Sequence, residues 1–285
     1  KALDWLVNED EMFINFSLDN TTDLLLRYSL AVLYFATDGP NWLYCSKNES
    51  SLCGSGRFLG KEPFLSNTPV CDWAGITCED HNYMSIMLDY NGLRGEIPAD
   101  ELVGLCIASL SLRGNPGTSL NFGNSELGFL LIESLELLDL SENELTGQLD
   151  FPLLSSGQGA IYLSNNRLNG TLPSGCCSRM TVLDLSHNLL SGTIPAVFGF
   201  EQDFTFIDGQ FQQQLQPSDT LTEIHLAHNF LTGIVPDTLG ELQNLEILKL
   251  EGNRLIGSIP DEICDLTFEY GGDLEYLWAD CAGAD

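Results

Sequence analysis

Three of the four histidines in this 285-residue chain, His187, His225 and His228, recur in similar segments that also carry acidic residues. Asp184 stands three positions before His187, and Glu223 two before His225. Imidazoles mixed with carboxylates can hold a divalent cation or pass a proton near neutral pH. Either task requires residues 184–187 and 223–228 to meet in space although they are far apart in the chain. Which elements bring them together is therefore the first thing to read.

The segment LLDLSENELTGQL, Leu137 to Leu149, supplies an answer, because its order of leucines, one asparagine and one glycine recurs six more times between Ile86 and Pro260. Clear copies are VLDLSHNLLSGTIP (Val182 to Pro195) and ILKLEGNRLIGSIP (Ile247 to Pro260). The shared asparagines are Asn91, Asn115, Asn143, Asn166, Asn188, Asn229 and Asn253, at intervals of 24, 28, 23, 22, 41 and 24 residues. Each unit opens with two apolar residues one apart, such as Leu183 and Leu185, which is the alternation of a strand with one buried face. The glycine that follows sets a turn and the proline ends the strand. A unit this small cannot bury its own apolar face, so the units must stack, each strand pairing with the next in one parallel sheet.

The unit L-x-x-L-x-L-x-x-N-x-L-x-G-x-I-P resembles the plant-type leucine-rich repeat of receptor-kinase ectodomains and of secreted polygalacturonase inhibitors, over residues 86 to 260. The helix-like LLLRYSLAVLYFA (Leu24 to Ala36), the turn TDGPNW (Thr37 to Trp42) and CDWAGITC (Cys71 to Cys78) together look most like the repeat proteins of diatoms and related algae. The resemblance implies an α/β solenoid: a right-handed superhelix of about seven repeats with the parallel sheet on its concave face. It also implies an interior ladder of the asparagines, whose amides satisfy backbone groups of neighbouring coils. The expected organisation is an N-terminal cap (1–85), the repeat array (86–260) and a C-terminal cap (261–285), as one continuous domain.

Equivalent positions of adjacent coils stand side by side, so Asp184 is expected beside His225, and His187 beside His228. Binding in this architecture uses the polar positions of the sheet face. These are Tyr90, Arg113, Asp139, Glu142, Tyr162, Asp184, His187, Glu223, His225, His228, Lys249 and Glu251. The repeated serines Ser141, Ser164 and Ser186 lack an orienting base and read as small spacers. The favoured reading is an extracellular recognition, adhesion or receptor-ectodomain module that binds a protein, peptide or glycan, without catalysis and without a cofactor. One alternative is an inhibitor of a secreted hydrolase. The other is a metal site, or a metal-dependent enzyme, at His187, His225 and His228.

Eleven Lys and Arg against 41 Asp and Glu give a net charge of −30, which argues against nucleic acid and anionic membranes and leaves basic proteins as partners. Nine cysteines and four N-glycosylation sequons, at Asn15, Asn20, Asn48 and Asn169, place the chain outside the cell: secreted, or at the plasma membrane surface or cell wall. No signal peptide and no long apolar run is present, so the chain reads as a mature protein or as an ectodomain of something larger. The expected bridges are Cys45–Cys53, Cys71–Cys78 and Cys264–Cys281. Cys176 and Cys177 either bond to one another or point to opposite faces, and Cys106 is expected as a buried free thiol. Two stretches break the repeat: one after Asn115, where the outer turn is rebuilt, and an insertion at about 200–219 that is rich in Phe and Gln. The insertion is either a ligand-binding loop or a surface segment packed on its own phenylalanines.

Overall fold

In each repeat the paired apolar residues turn inward and the residue between them faces out. Leu183 and Leu185, Ile224 and Leu226, and Leu248 and Leu250 are at most 1% exposed, whereas Asp184, His225 and Lys249 between them are half-buried. Removing such leucines from water contributes about 1.5–3 kcal/mol apiece, which is what drives the coils to stack. The computed structural model describes residues 1–14, 21–47, 53, 58–78, 83–102, 105–119, 135–148, 159–174, 176–207, 210–267 and 271–280. The chain divides into two compact units: one of Lys1–Asn121, Ser125–Leu135 and Asp139–Leu145, the other of Phe122–Asn124, Glu136–Leu138 and Thr146–Asp285.

The first unit begins with the helices α1 (Ala2–Asn8), α2 (Glu11–Ile14) and α3 (Thr21–Ala36). Leu30, Ala31, Leu33 and Tyr34 of α3 are buried, as its helical apolar spacing requires. The helices are locked by a buried ion pair. Arg27 donates from Nε and Nη2 to the two carboxylate oxygens of Asp10 at 2.6 and 2.7 Å, and to the carbonyls of Thr68 and Ser66. Its guanidinium also lies 5.5 Å from the Trp5 ring and 4.9 Å from that of Trp73. The disulfides Cys45–Cys53 and Cys71–Cys78 are formed. Strand β1 (Ile76–Cys78) pairs antiparallel with β2 (Met84–Met87), which pairs parallel with β4 (Ile107–Ser111). Beside them β3 (Arg94–Glu96) pairs with β5 (Gly117–Ser119), and α4 (Ala99–Leu102) lies between β3 and β4 in the chain. Of the rebuilt turn expected after Asn115, residues 120–134 lie outside the described residues. Cys106 is a free thiol but is exposed, not buried: Leu105 and Ile107 take the inward positions on either side of it.

After β6 (Leu137–Asp139), the second unit holds two parallel sheets. The first is the expected repeat sheet: β8 (Gly159–Tyr162), β10 (Met180–Asp184), β14 (Glu223–His225), β16 (Ile247–Lys249) and β18 (Tyr276–Trp278), in that order. The other was not anticipated. The residues after each asparagine form a lateral sheet of β7 (Thr146–Gln148), β9 (Arg167–Thr171), β11 (Leu189–Gly192), β15 (Phe230–Gly233) and β17 (Arg254–Leu255). The insertion is a hairpin, with β12 (Phe200–Ile207) antiparallel to β13 (Gln210–Pro217) in register from Phe200↔Pro217 to Ile207↔Gln210. Its foot is fixed where Ser218 Oγ donates to the Ser178 carbonyl at 2.7 Å and its N–H donates to that of Gly199 at 2.8 Å.

Cys176 and Cys177 are bonded to each other and fully buried. Cys264 is a free, half-buried thiol and not one end of the expected bridge; Cys281 lies outside the described residues. Cys264 ends the short helix α5 (Asp261–Cys264). Asp280, next to Cys281, is held instead by the N–H groups of Gly252 and Asn253, on the turn that follows β16. Asn169 is exposed on β9, and the sequons at Asn15, Asn20 and Asn48 lie outside the described residues. Among the described residues no helix is long and apolar enough to cross a membrane.

The asparagines form the interior ladder. Asn188 Oδ1 accepts the Leu168 N–H at 2.9 Å, and its Nδ2 donates to the carbonyls of Leu163, Leu185 and Ser186. Asn229 repeats this with Leu190 as donor and the carbonyls of Leu185, Leu226 and Ala227 as acceptors. In the first unit Asn115 accepts from the N–H groups of Asn91 and Leu93 and donates to the Leu88, Leu112 and Arg113 carbonyls. Asn91 is the end rung. Its Oδ1 accepts the Tyr44 N–H from the cap at 2.7 Å, and its buried Nδ2 has no acceptor.

Candidate functional site

The residue before each ladder asparagine turns the chain out of the strand, and it does so in the left-handed conformation. In the first unit these are Tyr90 (φ 50°), Gly114 (69°) and Glu142 (56°); in the second, Asn165 (56°), His187 (53°), His228 (55°) and Gly252 (71°). Glycine adopts this geometry freely, whereas a side chain there costs on the order of 1 kcal/mol. Tyr, Glu, Asn and His are therefore held at positions where glycine would be relaxed.

The glycines that remain make room for rings. A Cβ on Gly114 would stand 2.2 Å from the Tyr90 ring, and one on Gly252 would stand 2.4 Å from His228 Nδ1. Tyr90 thus lies across the coil of Gly114 and reaches Glu142, donating from its hydroxyl to Oε2 at 2.8 Å. Arg113 donates to the other oxygen of Glu142, from Nε at 3.0 Å and from Nη2 in a second, shorter bond, while its guanidinium lies 5.9 Å from the Tyr90 ring. The bonds from Arg113 and then Tyr90 hold the Glu142 carboxyl below its ordinary value. The same contact with Glu142 raises Arg113 and raises the Tyr90 phenol. Asp89 and Asp139 serve as supports. Asp89 accepts from Ser111 Oγ and the Arg113 N–H, and Asp139 from the N–H and Oγ of Ser141.

In the second unit, register puts Tyr162, Asp184, His225, Lys249 and Trp278 in one row across five neighbouring strands. At about 4.8 Å per strand the row is about 19 Å long. Asp184 and His225 are neighbours as expected, and the His187 and His228 rings stack with centroids 4.2 Å apart. The three histidines do not converge, because His225 Nε2 lies 2.9 Å from Glu223 Oε2 while the other two face each other. Among the described residues no three His, Cys, Asp or Glu side chains gather as metal ligands. The repeated serines are likewise committed: Ser186 Oγ donates to Asp184 at 2.6 Å.

Two site residues escaped the sequence reading. Tyr276 and Trp278 stack at 5.4 Å on β18, are 48% and 44% exposed, and have Lys249 Nζ 4.9 Å from the Trp278 ring. The signal was present. DLEYLW (Asp273 to Trp278) copies NLEILK (Asn244 to Lys249) position for position, so the C-terminal cap contains another repeat strand.

Leucine-rich repeat family models match residues 160–178, 179–200 and 219–267. Among curated proteins, the chain is 34% identical over 149 residues to receptor-like protein kinase BRI1-like 3 of Arabidopsis thaliana, covering 50% of this chain and 12% of that protein. It is 28% identical over 268 residues to receptor-like protein 41 of the same plant, covering 86% of this chain and 28% of that protein. This chain thus corresponds to a minor part of such relatives. Among solved structures, PEPR1–AtPEP1 superposes with a TM-score of 0.62 at 24% identity, covering 91% of this chain and 31% of that one. Pollen receptor kinase 3 superposes at 0.53 with 28% identity, covering 69% and 88%. Repeat unit, asparagine ladder, family-model matches and fold agree: the chain has the leucine-rich repeat solenoid fold and is similar to plant receptor-like proteins.

Proposed function

We propose that this chain is an extracellular recognition module of the receptor-ectodomain kind, binding an extended peptide or protein segment on the exposed face of its repeat sheet and performing no chemistry. The observation that carries this reading is the row Tyr162, Asp184, His225, Lys249 and Trp278, an aromatic-ended strip of mixed charge on a rigid parallel sheet. Its side chains are ordered before any ligand arrives, His225 against Glu223 and Lys249 over Trp278, which lowers the entropic cost of binding. Aromatic residues with isolated charges are the composition of binding hot spots. The resemblance to receptor-like proteins, the three disulfides and the exposed sequon at Asn169 support a place outside the cell.

The test is selection of a displayed random-peptide library on immobilised protein, followed by titration of the selected peptides. Loss of about tenfold or more in affinity on His225→Ala or Tyr162→Ala, with unchanged melting, is expected. Failure to enrich any peptide, or peptides indifferent to both substitutions, would overturn the reading.

A further inference from the structure

In the second unit Glu251 occupies a column that the preceding coils fill with small residues, whereas the first unit places Asp89 and Arg113 at the equivalent position. The corresponding positions in the preceding coils of that unit are Ser164 and Ala227, both at least 93% buried, and the half-buried Ser186. One carboxylate oxygen of Glu251, Oε2, is shielded from solvent and has no hydrogen-bond donor. A shielded carboxylate oxygen without a donor is costly, and nothing in the coil geometry demands an acid where serine or alanine fits. The adjoining end strand presents the exposed Tyr276–Trp278 stack, and the face of Trp278 already attracts the protein's own Lys249. Aromatic faces bind ammonium and guanidinium groups, and an orphaned carboxylate binds the same groups more strongly still. Around them Glu223, Glu246, Glu275 and Asp280 outnumber the single Lys249, in a chain of net charge −30. Such a field draws basic ligands and repels acidic ones.

We propose that the end of the repeat sheet formed by Glu251, Tyr276 and Trp278 receives an arginine or lysine side chain of a basic peptide, the cation stacking on the aromatic pair and hydrogen-bonding to Glu251. This rests on reading the sheet face as a peptide-binding surface and adds the chemical class of the ligand. An aromatic pair alone would suit a sugar ring equally well; the orphaned carboxylate and the acidic surroundings select a cation.

The probe is hexa-arginine, compared with hexa-glutamate and a neutral cello-oligosaccharide. Trp278 reports binding by fluorescence, because Trp5, Trp42 and Trp73 are buried. Saturable quenching by hexa-arginine is expected, weakening about tenfold in Glu251→Gln and by a similar factor in Tyr276→Ala. Tyr276→Phe, which keeps the ring, should retain it. Glu262→Gln makes the same charge change on α5 and should shift affinity by less than about twofold. Equal losses for Glu251→Gln and Glu262→Gln would mean diffuse charge attraction and overturn the site, as would absence of saturable binding or preference for the oligosaccharide. Library-selected peptides that lack basic residues yet still depend on His225 and Tyr162 would overturn the basic-ligand assignment alone and leave the recognition reading standing.

Discussion

Replacing Asn188 by leucine tests the interior ladder at one rung. The substitution nearly preserves volume and deletes four hydrogen bonds. The consequences differ from bond to bond. The Leu163 carbonyl still accepts from Asn166 Nδ2, the Leu185 carbonyl from Asn229 Nδ2 and the Ser186 carbonyl from the Asn165 N–H. The Leu168 N–H, in contrast, loses the acceptor it has, in a coil whose leucines are sealed from water. An orphaned buried N–H costs about 1–3 kcal/mol, and the weakened carbonyls add about 1 kcal/mol together, so the expected loss is about 2–4 kcal/mol. Because repeat arrays open locally, the assay should be hydrogen exchange as well as denaturant unfolding. The Leu168 amide should lose protection while the Leu190 amide, held by Asn229, keeps it. A loss below about 0.5 kcal/mol with Leu168 still protected would refute the reasoning.

In the N-terminal cap, Arg27→Ala leaves Asp10 buried and unpaired and should cost about 3–5 kcal/mol in denaturant unfolding, whereas Asp10→Asn with Arg27→Met should cost less than that single change. In the Tyr90, Arg113 and Glu142 cluster, the carboxyl titrates below 4.5 and the phenol above 10.0. A lowered acid stabilises the fold above its unfolded value and loses that contribution as pH falls through its folded value; a raised phenol stabilises below its unfolded value and loses it as pH rises through its folded value. Glu142→Gln should therefore bring the Tyr90 titration, followed by NMR, back toward 10.0, and an unmoved Tyr90 would contradict the hydrogen bond. Gly252→Ala combines a left-handed backbone with a Cβ 2.4 Å from His228 Nδ1. It should cost about 1–2 kcal/mol and separate the His187 and His228 rings, seen as a change in their NMR shifts.

Much of this structure was legible because the repeat repeats everything. Alternation gave the strands, the resemblance to leucine-rich repeats gave the ladder, and stacking of equivalent positions placed Asp184 beside His225 and His187 beside His228. The lateral sheet was not, since one inward leucine flanked by turn residues, as at Leu190 and Leu231, shows no alternation long enough to read. The hairpin was legible in principle. Asp-Gly, at 208–209, is a dipeptide that favours tight turns, but the glutamine-rich flank hid the strand pattern. Tyr276 and Trp278 were hidden because their coil lacks the N-x-L-x-G-x-I-P half of the repeat, so that LEYLWADC resembles a terminal cap. The left-handed column was invisible, since Tyr, Gly, Glu, Asn and His share no property except the turn they occupy.

The most direct measurement is hydroxyl-radical footprinting of the protein with and without a library-selected peptide. Tyr162, Trp278 and Tyr276 report on the repeat-sheet face; Leu189, Phe230, Ile234 and Ile256, all exposed, report on the lateral side. A ligand on the repeat sheet protects the first group and leaves the second unchanged. Protection confined to the lateral residues would contradict recognition by the repeat sheet.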